Sequence, residues 1–158
     1  MFRIGFGYDA HRLAKGRDLI LGGVKIPHKK GLLGHSDADV LSHAIGEAIL
    51  GALSLGDLGK HFPDTDKKYK DISSLKILSI INHMAKKENA KIINIDSTIV
   101  AEEPRLSGRI PKMRENISNV LNINIKQVSV KATTTEGMGF VGAREGMTAY
   151  AVVLVDKK

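Results

Sequence analysis

The 158-residue sequence predicts a single-domain α/β protein, and two observations lead to this class. Segments with strand-like alternation take turns with segments of helical periodicity along the whole chain. A chain of this length usually forms one domain that is large enough to bury a hydrophobic core. No linker, internal repeat or low-complexity tract divides it, so we expect residues 1–158 to form one domain.

The chain opens on a predicted strand. In the run MFRIGF, Phe2, Ile4 and Phe6 alternate with Arg3 and Gly5, as in an ordinary buried strand. The segments DLILGG and VKIP then predict two short extended pieces on either side of a glycine pair.

The first helix is predicted between His35 and Gly56. Apolar residues recur there at helical spacing, namely Val40, Leu41, Ala44, Ile45, Ala48, Ile49, Ala52 and Leu53. Ser36 or Asp37 can cap the N-terminus of this helix, and Gly56 can end it.

The second half of the chain continues the alternation. The segment 57–71 predicts a loop of functional length, because it is polar and contains proline and glycine. Residues 72–89 predict an amphipathic helix with one apolar side, formed by Leu75, Leu78, Ile81 and Met84. A strand over 91–101, a helix over 110–122 with Pro111 in its first turn, and the strands QVSVKA and MTAYAVVLV complete about four main strands.

Composition limits the possible chemistry and location. The chain has no cysteine, which excludes disulfides and thiolate nucleophiles and leaves His, Asp and Glu as metal ligands. It has no run of 18 apolar residues and no secretory signal pattern at its start. We therefore expect a cytoplasmic protein with no membrane partner.

The chain carries a formal net charge of +7, from 24 basic and 17 acidic residues. The lysines lie in scattered pairs and only 4% of residues are aromatic, which disfavours nucleic-acid binding. We therefore expect no nucleic-acid partner, and small phosphate-bearing substrates suit the charge. A basic, non-enzymatic binding protein remains an alternative.

Three residues form a candidate metal site. In the stretch GYDAHR, Asp9 and His11 lie two residues apart on one face of an extended chain, where they can chelate a cation or hydrogen-bond to each other. His43 lies on the first predicted helix, four residues after Asp39. Asp9, His11 and His43 together would form an open three-ligand site that suits zinc. The alternative is that the acids only cap the helix and that His43 is either a solvated histidine or a hydrogen-bonded core histidine.

Polar residues also crowd the N-terminus of this helix, where backbone N–H groups favour an anion: His35, Ser36, Asp37 and Asp39.

Two further clusters carry polar chemistry. In KATTTEGMGF, a strand runs into three threonines, Glu136 and glycines, which suit phosphate oxygens and a hard cation such as Mg²⁺. The alternative is a threonine-rich strand followed by a glycine turn. The polar segment AEEPRLSGRIP either wraps a ligand or is simply solvated.

Five motifs in order, GYDAHR, HSDADVLSHA, LGDLGKHFPDTD, EEPRLSGRIPKMR and KATTTEGMGF, resemble the 2-C-methyl-D-erythritol 2,4-cyclodiphosphate synthase family of the non-mevalonate isoprenoid pathway. The resemblance covers nearly the whole chain. It implies a mixed sheet backed by helices and a homotrimer with active sites between subunits. It also implies a small-molecule substrate, 4-diphosphocytidyl-2-C-methyl-D-erythritol 2-phosphate, whose 2-phosphate attacks the β-phosphate and expels CMP.

The resemblance also implies residue roles. Asp9, His11 and His43 match the ligands of one zinc ion per subunit, and Glu136 matches a ligand of a second divalent cation, Mg²⁺ or Mn²⁺. His35 and Thr134 match residues that steady the transition state. Asp9, His11, His35 and Glu136 also match substrate contacts. The further contacts with methylerythritol phosphate match Ser36, Asp57, Gly59, Phe62, Pro63, Asp64 and Asp66. The contacts with the rest of the substrate match Ala101, Pro104, Arg105, Leu106, Thr133, Thr134 and Phe140.

A metal-dependent nucleotide phosphoesterase would use the same ligands and remains an alternative. The chain also departs from the family pattern at two positions: Arg144 is displaced by one residue, behind Ala143, and Tyr150 replaces a glutamate that many members carry. In the family these positions line a cavity on the threefold axis that is proposed to bind isoprenoid diphosphates. We therefore expect this chain not to use such a cavity in the same way.

Overall fold

The computed structural model describes residues 1–158, and its elements follow the predicted alternation. The strands are β1 (Phe2–Ala14), β2 (Leu19–Leu21), β3 (Val24–Ile26), β4 (Gly31–Leu32), β5 (Ala90–Val100), β6 (Val128–Thr133) and β7 (Gly146–Lys157). The helices are α1 (Val40–Leu53), α2 (Leu58–His61), α3 (Ser74–Lys87), α4 (Ile110–Leu121) and α5 (Gly139–Gly142). Two 3-10 turns lie at Lys67–Tyr69 and Ile125–Gln127. None of the helices combines the length and apolar character that crossing a membrane requires.

The main sheet has the strand order β4-β1-β7-β5-β6. β5 and β6 are parallel, and the other neighbouring pairs are antiparallel. β2 and β3 form a separate two-stranded sheet. The predicted mixed α/β architecture with about four main strands is therefore confirmed, and the two-residue β4 is a short fifth strand.

Helix α1 occupies the centre of the core. It packs against β1 and β7 on one side and against α3 on the other. All of its residues are buried except Glu47 and Gly51. A helix that is apolar on most sides needs such a covered position, and α1 contributes to a core cluster of 35 buried residues.

The orientation predicted for β1 is wrong. Phe2, Ile4 and Phe6 are 68%, 73% and 62% exposed, and it is the glycine face of the strand that contacts α1. A Cβ atom on Gly5 would lie 1.8 Å from the carbonyl oxygen of Ala48, so only glycine allows this close approach. Alternation identifies the residues that share a face, but it does not say which face the core covers.

The N-terminus of α1 also differs from the prediction. Its N-cap is Asp39, whose carboxylate accepts a hydrogen bond from the backbone N–H of Ser42 at 3.0 Å, and not Ser36 or Asp37. Asp37 instead accepts the backbone N–H of Ser74 in the first turn of α3. The expected cap is thus used by a helix that lies far away in the sequence.

The end of α1 and the following loop need correction as well. Ser54 ends the helix in a left-handed conformation with φ of 58°, so Gly56 lies beyond it. The predicted loop 57–71 contains α2 and the first 3-10 turn, because the side chains of Asp57 and Asp66 cap these short elements.

Candidate metal centre and active site

Asp9, His11 and His43 bring three potential ligand atoms together. β1 continues through GYDAHR. Asp9 and His11 lie on the same face of this strand as its glycines, which is the face that meets α1. Oδ2 of Asp9 lies 3.0 Å from Nε2 of His11 and 3.0 Å from Nδ1 of His43. The two nitrogens are 3.2 Å apart.

This spacing and this donor set fit a divalent cation. Tetrahedral zinc with ligand bonds of about 2.0–2.1 Å places its ligand atoms about 3.3 Å apart. A carboxylate oxygen and the unprotonated nitrogen of a neutral imidazole are all acceptors, so they need a proton or a metal ion between them. The three side chains therefore form a site that can hold one metal ion and leave a position open for a ligand.

The outer ring nitrogens of both histidines have hydrogen-bond partners of their own. Nδ1 of His11 lies 2.9 Å from the carbonyl oxygen of Leu33, to which it can only donate. Nε2 of His43 lies 2.8 Å from Oγ of Ser74 and 3.2 Å from Oγ of Ser36. Such outer partners orient imidazoles and leave the inner nitrogen free for a metal.

The charges of the site follow from its contacts. Burial alone would raise the pKa of Asp9, but hydrogen bonds from His11 and His43 and the attraction of their charges lower it to about 2. Burial alone would lower the pKa of His11, but its hydrogen bond to Asp9 and the charge of that carboxylate raise it. Without metal, Asp9 is therefore ionised near neutral pH, and His11 keeps its proton to a higher pH than an ordinary histidine does.

A cavity of about 540 Å³ opens beside these ligands. The predicted residues that line it are Asp9, His11, His35, Ser36, His43, Gly59, Phe62, Pro63 and Asp64. Two predicted substrate contacts, Asp57 and Asp66, do not line the cavity. Asp57 accepts the backbone N–H of Lys60, and the backbone oxygen of Asp66 lies 3.1 Å from Nε2 of His35.

Sequence reasoning missed several residues of this cavity, namely Gly34, Glu47, Leu58, Tyr69, Ile72 and Ile77. Glu47 is the most informative of them, because its carboxylate accepts the backbone N–H of Leu58 at 3.0 Å and burial raises its pKa. It is the one charged residue of α1 and follows His43 by four positions, one helical turn. That spacing on an otherwise apolar helix was the available signal.

The other predicted substrate contacts gather elsewhere. A second cavity of about 330 Å³ is lined by predicted residues, Ala101, Pro104, Arg105, Leu106, Thr133 and Thr134, and also by Glu102, Ser107, Ile110 and Ala132. Glu136 accepts a hydrogen bond from the Thr134 hydroxyl at 3.1 Å but lines neither cavity. Phe140 lies with His11 along a smaller pocket. Within one chain, Thr134 and Glu136 are thus not part of the cavity at the metal centre.

An Asp-His-His group beside a cavity, built on a mixed sheet, places the chain among the α/β proteins that could hold a metal ion next to a ligand cavity. Comparison with known proteins gives the family within this class. The chain matches the YgbB family over residues 2–156 and belongs to it. A relative from Syntrophomonas wolfei, named 2-C-methyl-D-erythritol 2,4-cyclodiphosphate synthase, is 59% identical over 155 residues, which are 98% of this chain and 99% of the relative. The resemblance found in the motifs is confirmed.

Solved structures agree with this assignment. The bifunctional IspDF from Campylobacter jejuni matches with a TM-score of 0.96 at 39% identity, over 100% of this chain and 43% of that protein. The chain therefore spans less than half the length of that bifunctional protein. A Plasmodium falciparum IspF solved as a CDP complex matches with a TM-score of 0.86 at 36% identity, over 99% of this chain and 97% of that one.

Proposed function

We propose that the protein is a phosphorus–oxygen lyase of the non-mevalonate isoprenoid pathway. It converts 4-diphosphocytidyl-2-C-methyl-D-erythritol 2-phosphate to 2-C-methyl-D-erythritol 2,4-cyclodiphosphate and CMP. An oxygen of the 2-phosphate forms a bond to the β-phosphorus, and the bond from that phosphorus to the oxygen of CMP breaks. The observation that carries this proposal is the convergence of Asp9, His11 and His43 beside a cavity, in a chain with a synthase relative at 59% identity.

The reaction places few demands on acid–base chemistry. A phosphate monoester is already anionic near neutral pH, so the nucleophile needs no activating base. The barrier arises because two like-charged phosphates must approach each other. Holding both groups of one molecule in attack geometry makes the step effectively unimolecular, which contributes about 7–11 kcal/mol at best. The main task of the chain is therefore to fold and neutralise its substrate.

The residues present suit that task. Asp9, His11 and His43 would hold one zinc ion per chain, and Glu136 would hold a second divalent cation, Mg²⁺ or Mn²⁺. Bound cations neutralise phosphate charge and polarise phosphate oxygens. His35 and Thr134 would offer hydrogen-bond donors to the phosphates. All of these residues belong to one proposed domain over residues 1–158.

The two cavities divide the substrate between them. The cavity at the metal centre would take the methylerythritol phosphate, with Ser36, Asp64 and the Phe62-Pro63 corner around it and Asp57 and Asp66 supporting its wall. The second cavity would take the cytidine, between the 101–107 loop and Thr133. The solved CDP complex of the Plasmodium relative supports a cytidine nucleotide as the ligand.

We infer that three copies assemble so that each active site combines the metal centre of one chain with Thr134 and Glu136 of another. An exposed apolar face supports this assembly, formed on β1 and β7 by Phe2, Ile4, Phe6, Tyr8, Tyr150 and Val152. Exposed patches of this kind mark interfaces between proteins. The placement of Glu136 outside the cavity of its own metal centre supports it as well.

Product analysis tests the proposed function. The protein would be incubated with the cytidyl-methylerythritol phosphate substrate, with and without chelator, and followed by phosphorus NMR. We expect CMP and two coupled signals from a cyclic diphosphate, no reaction after chelation, and recovery when zinc and Mg²⁺ are returned. Inorganic phosphate or open-chain products would indicate a phosphoesterase instead.

A further inference from the structure

A buried serine connects the metal centre to a carboxylate behind it. Ser74 has no exposed surface, and its Oγ lies 2.8 Å from Nε2 of His43. The same hydroxyl donates a short hydrogen bond to Oδ1 of Asp37. Oδ2 of Asp37 accepts the backbone N–H of Ser74 at 3.0 Å. Neither Ser74 nor Asp37 belongs to the residues that the motifs assign to the site.

The direction of these hydrogen bonds is fixed by chemistry. An ionised carboxylate only accepts, so the single hydrogen of the Ser74 hydroxyl points to Asp37. The Ser74 oxygen can then only accept from His43, which requires that Nε2 of His43 carries a hydrogen. When the ring is neutral, as metal binding requires, Nδ1 is left without one and its lone pair is free for the metal. In the absence of a metal, a proton on Nδ1 can be donated to Asp9, 3.0 Å away, and the metal takes the place of that proton. The hydrogen bonds from His43 to Ser74 and from Ser74 to Asp37 therefore select the tautomer whose Nδ1 can bind a metal.

We propose that Ser74 and Asp37 are positioning residues that hold His43 in the Nε2–H tautomer and thereby set the metal affinity of the centre. The inference rests on the proposed function for the identity of the metal ligands. It also connects two helices, because Ser74, which binds Asp37, is the first residue of α3, while its partner His43 lies on α1. Ser36 is a weaker second acceptor for Nε2, at 3.2 Å.

Two variants and a neighbouring control test this role. Ser74→Ala removes the main acceptor and leaves Ser36, so we expect zinc affinity to fall about tenfold. In Asp37→Asn the side-chain amide can donate to the Ser74 oxygen, which turns the hydroxyl toward His43 and favours the wrong tautomer, so the loss should reach about 10–100-fold. Ser73→Ala is the control, because Ser73 is exposed and makes no capping hydrogen bond.

Zinc affinity of the full chain would be measured by competition with a chromophoric chelator, and the His43 tautomer by nitrogen-15 NMR of the metal-free protein above neutral pH. We expect the Nε2–H form in the wild type and a shift toward Nδ1–H in Asp37→Asn. Zinc affinities of Ser74→Ala and Asp37→Asn equal to that of Ser73→Ala would overturn the inference. An Nδ1–H tautomer of His43 in the metal-free wild type would also overturn the role of Ser74. A wild type that binds no zinc would instead contradict the proposed metal site.

Discussion

Glycines in β1 determine how closely the helix with His43 approaches the strand with Asp9. A Cβ atom on Gly7 would lie 2.0 Å from the carbonyl oxygen of Ala44, and the approach at Gly5 is closer still. Both obstacles are backbone atoms of a buried helix, so no side-chain rotation can relieve them. These glycines therefore permit the ligand distances seen at the metal centre.

Substitution of Gly5 tests this dependence. We expect Gly5→Ala to lower the free energy of unfolding by about 3 kcal/mol, because overpacking against backbone forces α1 away from the sheet. Gly51→Ala is the control: Gly51 lies on the exposed side of α1, with 3.8 Å to the nearest atom, and alanine there should be neutral or stabilise by about 0.5–1 kcal/mol. Urea unfolding at one protein concentration measures both; equal stabilities would contradict the packing described.

The protonation of His11 predicts how zinc binding depends on pH. Because the pKa of His11 is raised in the metal-free site, zinc must displace its proton. Calorimetry in buffers of different ionisation enthalpy should show that zinc binding releases protons at pH values below the raised pKa of His11, and that the His11 contribution disappears as the pH rises through that pKa. Asp9, with a pKa of about 2, should contribute none. Proton release that does not change with pH would exclude His11 as the group displaced.

Helices and strands were predictable where local pattern decides them. Periodicity placed α3, α4 and β5 to β7 within a few residues of their observed ends. It failed at the start of α1, because the side chains that local rules assign as caps bind partners far along the chain: Asp37 is 37 residues from Ser74. It also failed for the orientation of β1, where the small face and not the large one meets the helix.

The turn after β6 shows the same long-range dependence. Oε1 of Glu102 accepts hydrogen bonds from the backbone N–H and hydroxyl of Thr135, at 2.9 and 3.0 Å, and from the N–H of Gly137 at 3.4 Å. The backbone hydrogen bond from Thr135 is the main cause that lowers the pKa of Glu102. These donors flank Glu136, which has a left-handed φ of 54°. Glu102 therefore holds the turn that carries the proposed second metal ligand.

Loss of Glu102 should loosen that turn. We expect Glu102→Ala to raise the Mg²⁺ concentration for half-maximal activity about tenfold, and Glu102→Gln, which keeps an acceptor oxygen, to restore most of the loss. Glu103→Ala is the control, because Glu103 contacts His28 and Arg144 but not the turn. Initial rates of CMP release across a Mg²⁺ series measure the effect. The role of Glu102 is wrong if the two alanine variants behave alike.

For the candidate site, motif order predicted a set of residues, of which the structure brings Asp9, His11 and His43 together, but it did not predict their connections. The spacing of Asp9 and His11 left a metal site and a simple hydrogen bond both open, and the structure shows contacts that serve either. Ser74 and Glu102 carry no local pattern, since their roles depend on contacts across 31 and 33 residues.

The exposed apolar face predicts the behaviour of the assembled protein. Val152 is 44% exposed on β7 and pairs with Phe6 on β1. We expect sedimentation of the wild type to give three chain masses of 17.1 kDa. Val152→Asp should give single chains that still bind zinc but release no CMP, because a charge in an apolar interface must be desolvated. Ile125→Asp is the control, because Ile125 is exposed but does not lie on β1 or β7, and this variant should remain trimeric. A wild type that is monomeric and active would contradict an active site shared between two chains.

The most direct test measures zinc content and CMP release together in wild type, His43→Ala and His83→Ala. His83 is an exposed histidine on α3 and controls for the loss of an imidazole. We predict one zinc per chain and rapid CMP release in the wild type and in His83→Ala, and neither in His43→Ala. A His43→Ala protein that contains no metal yet cyclises the substrate at the wild-type rate would contradict the account.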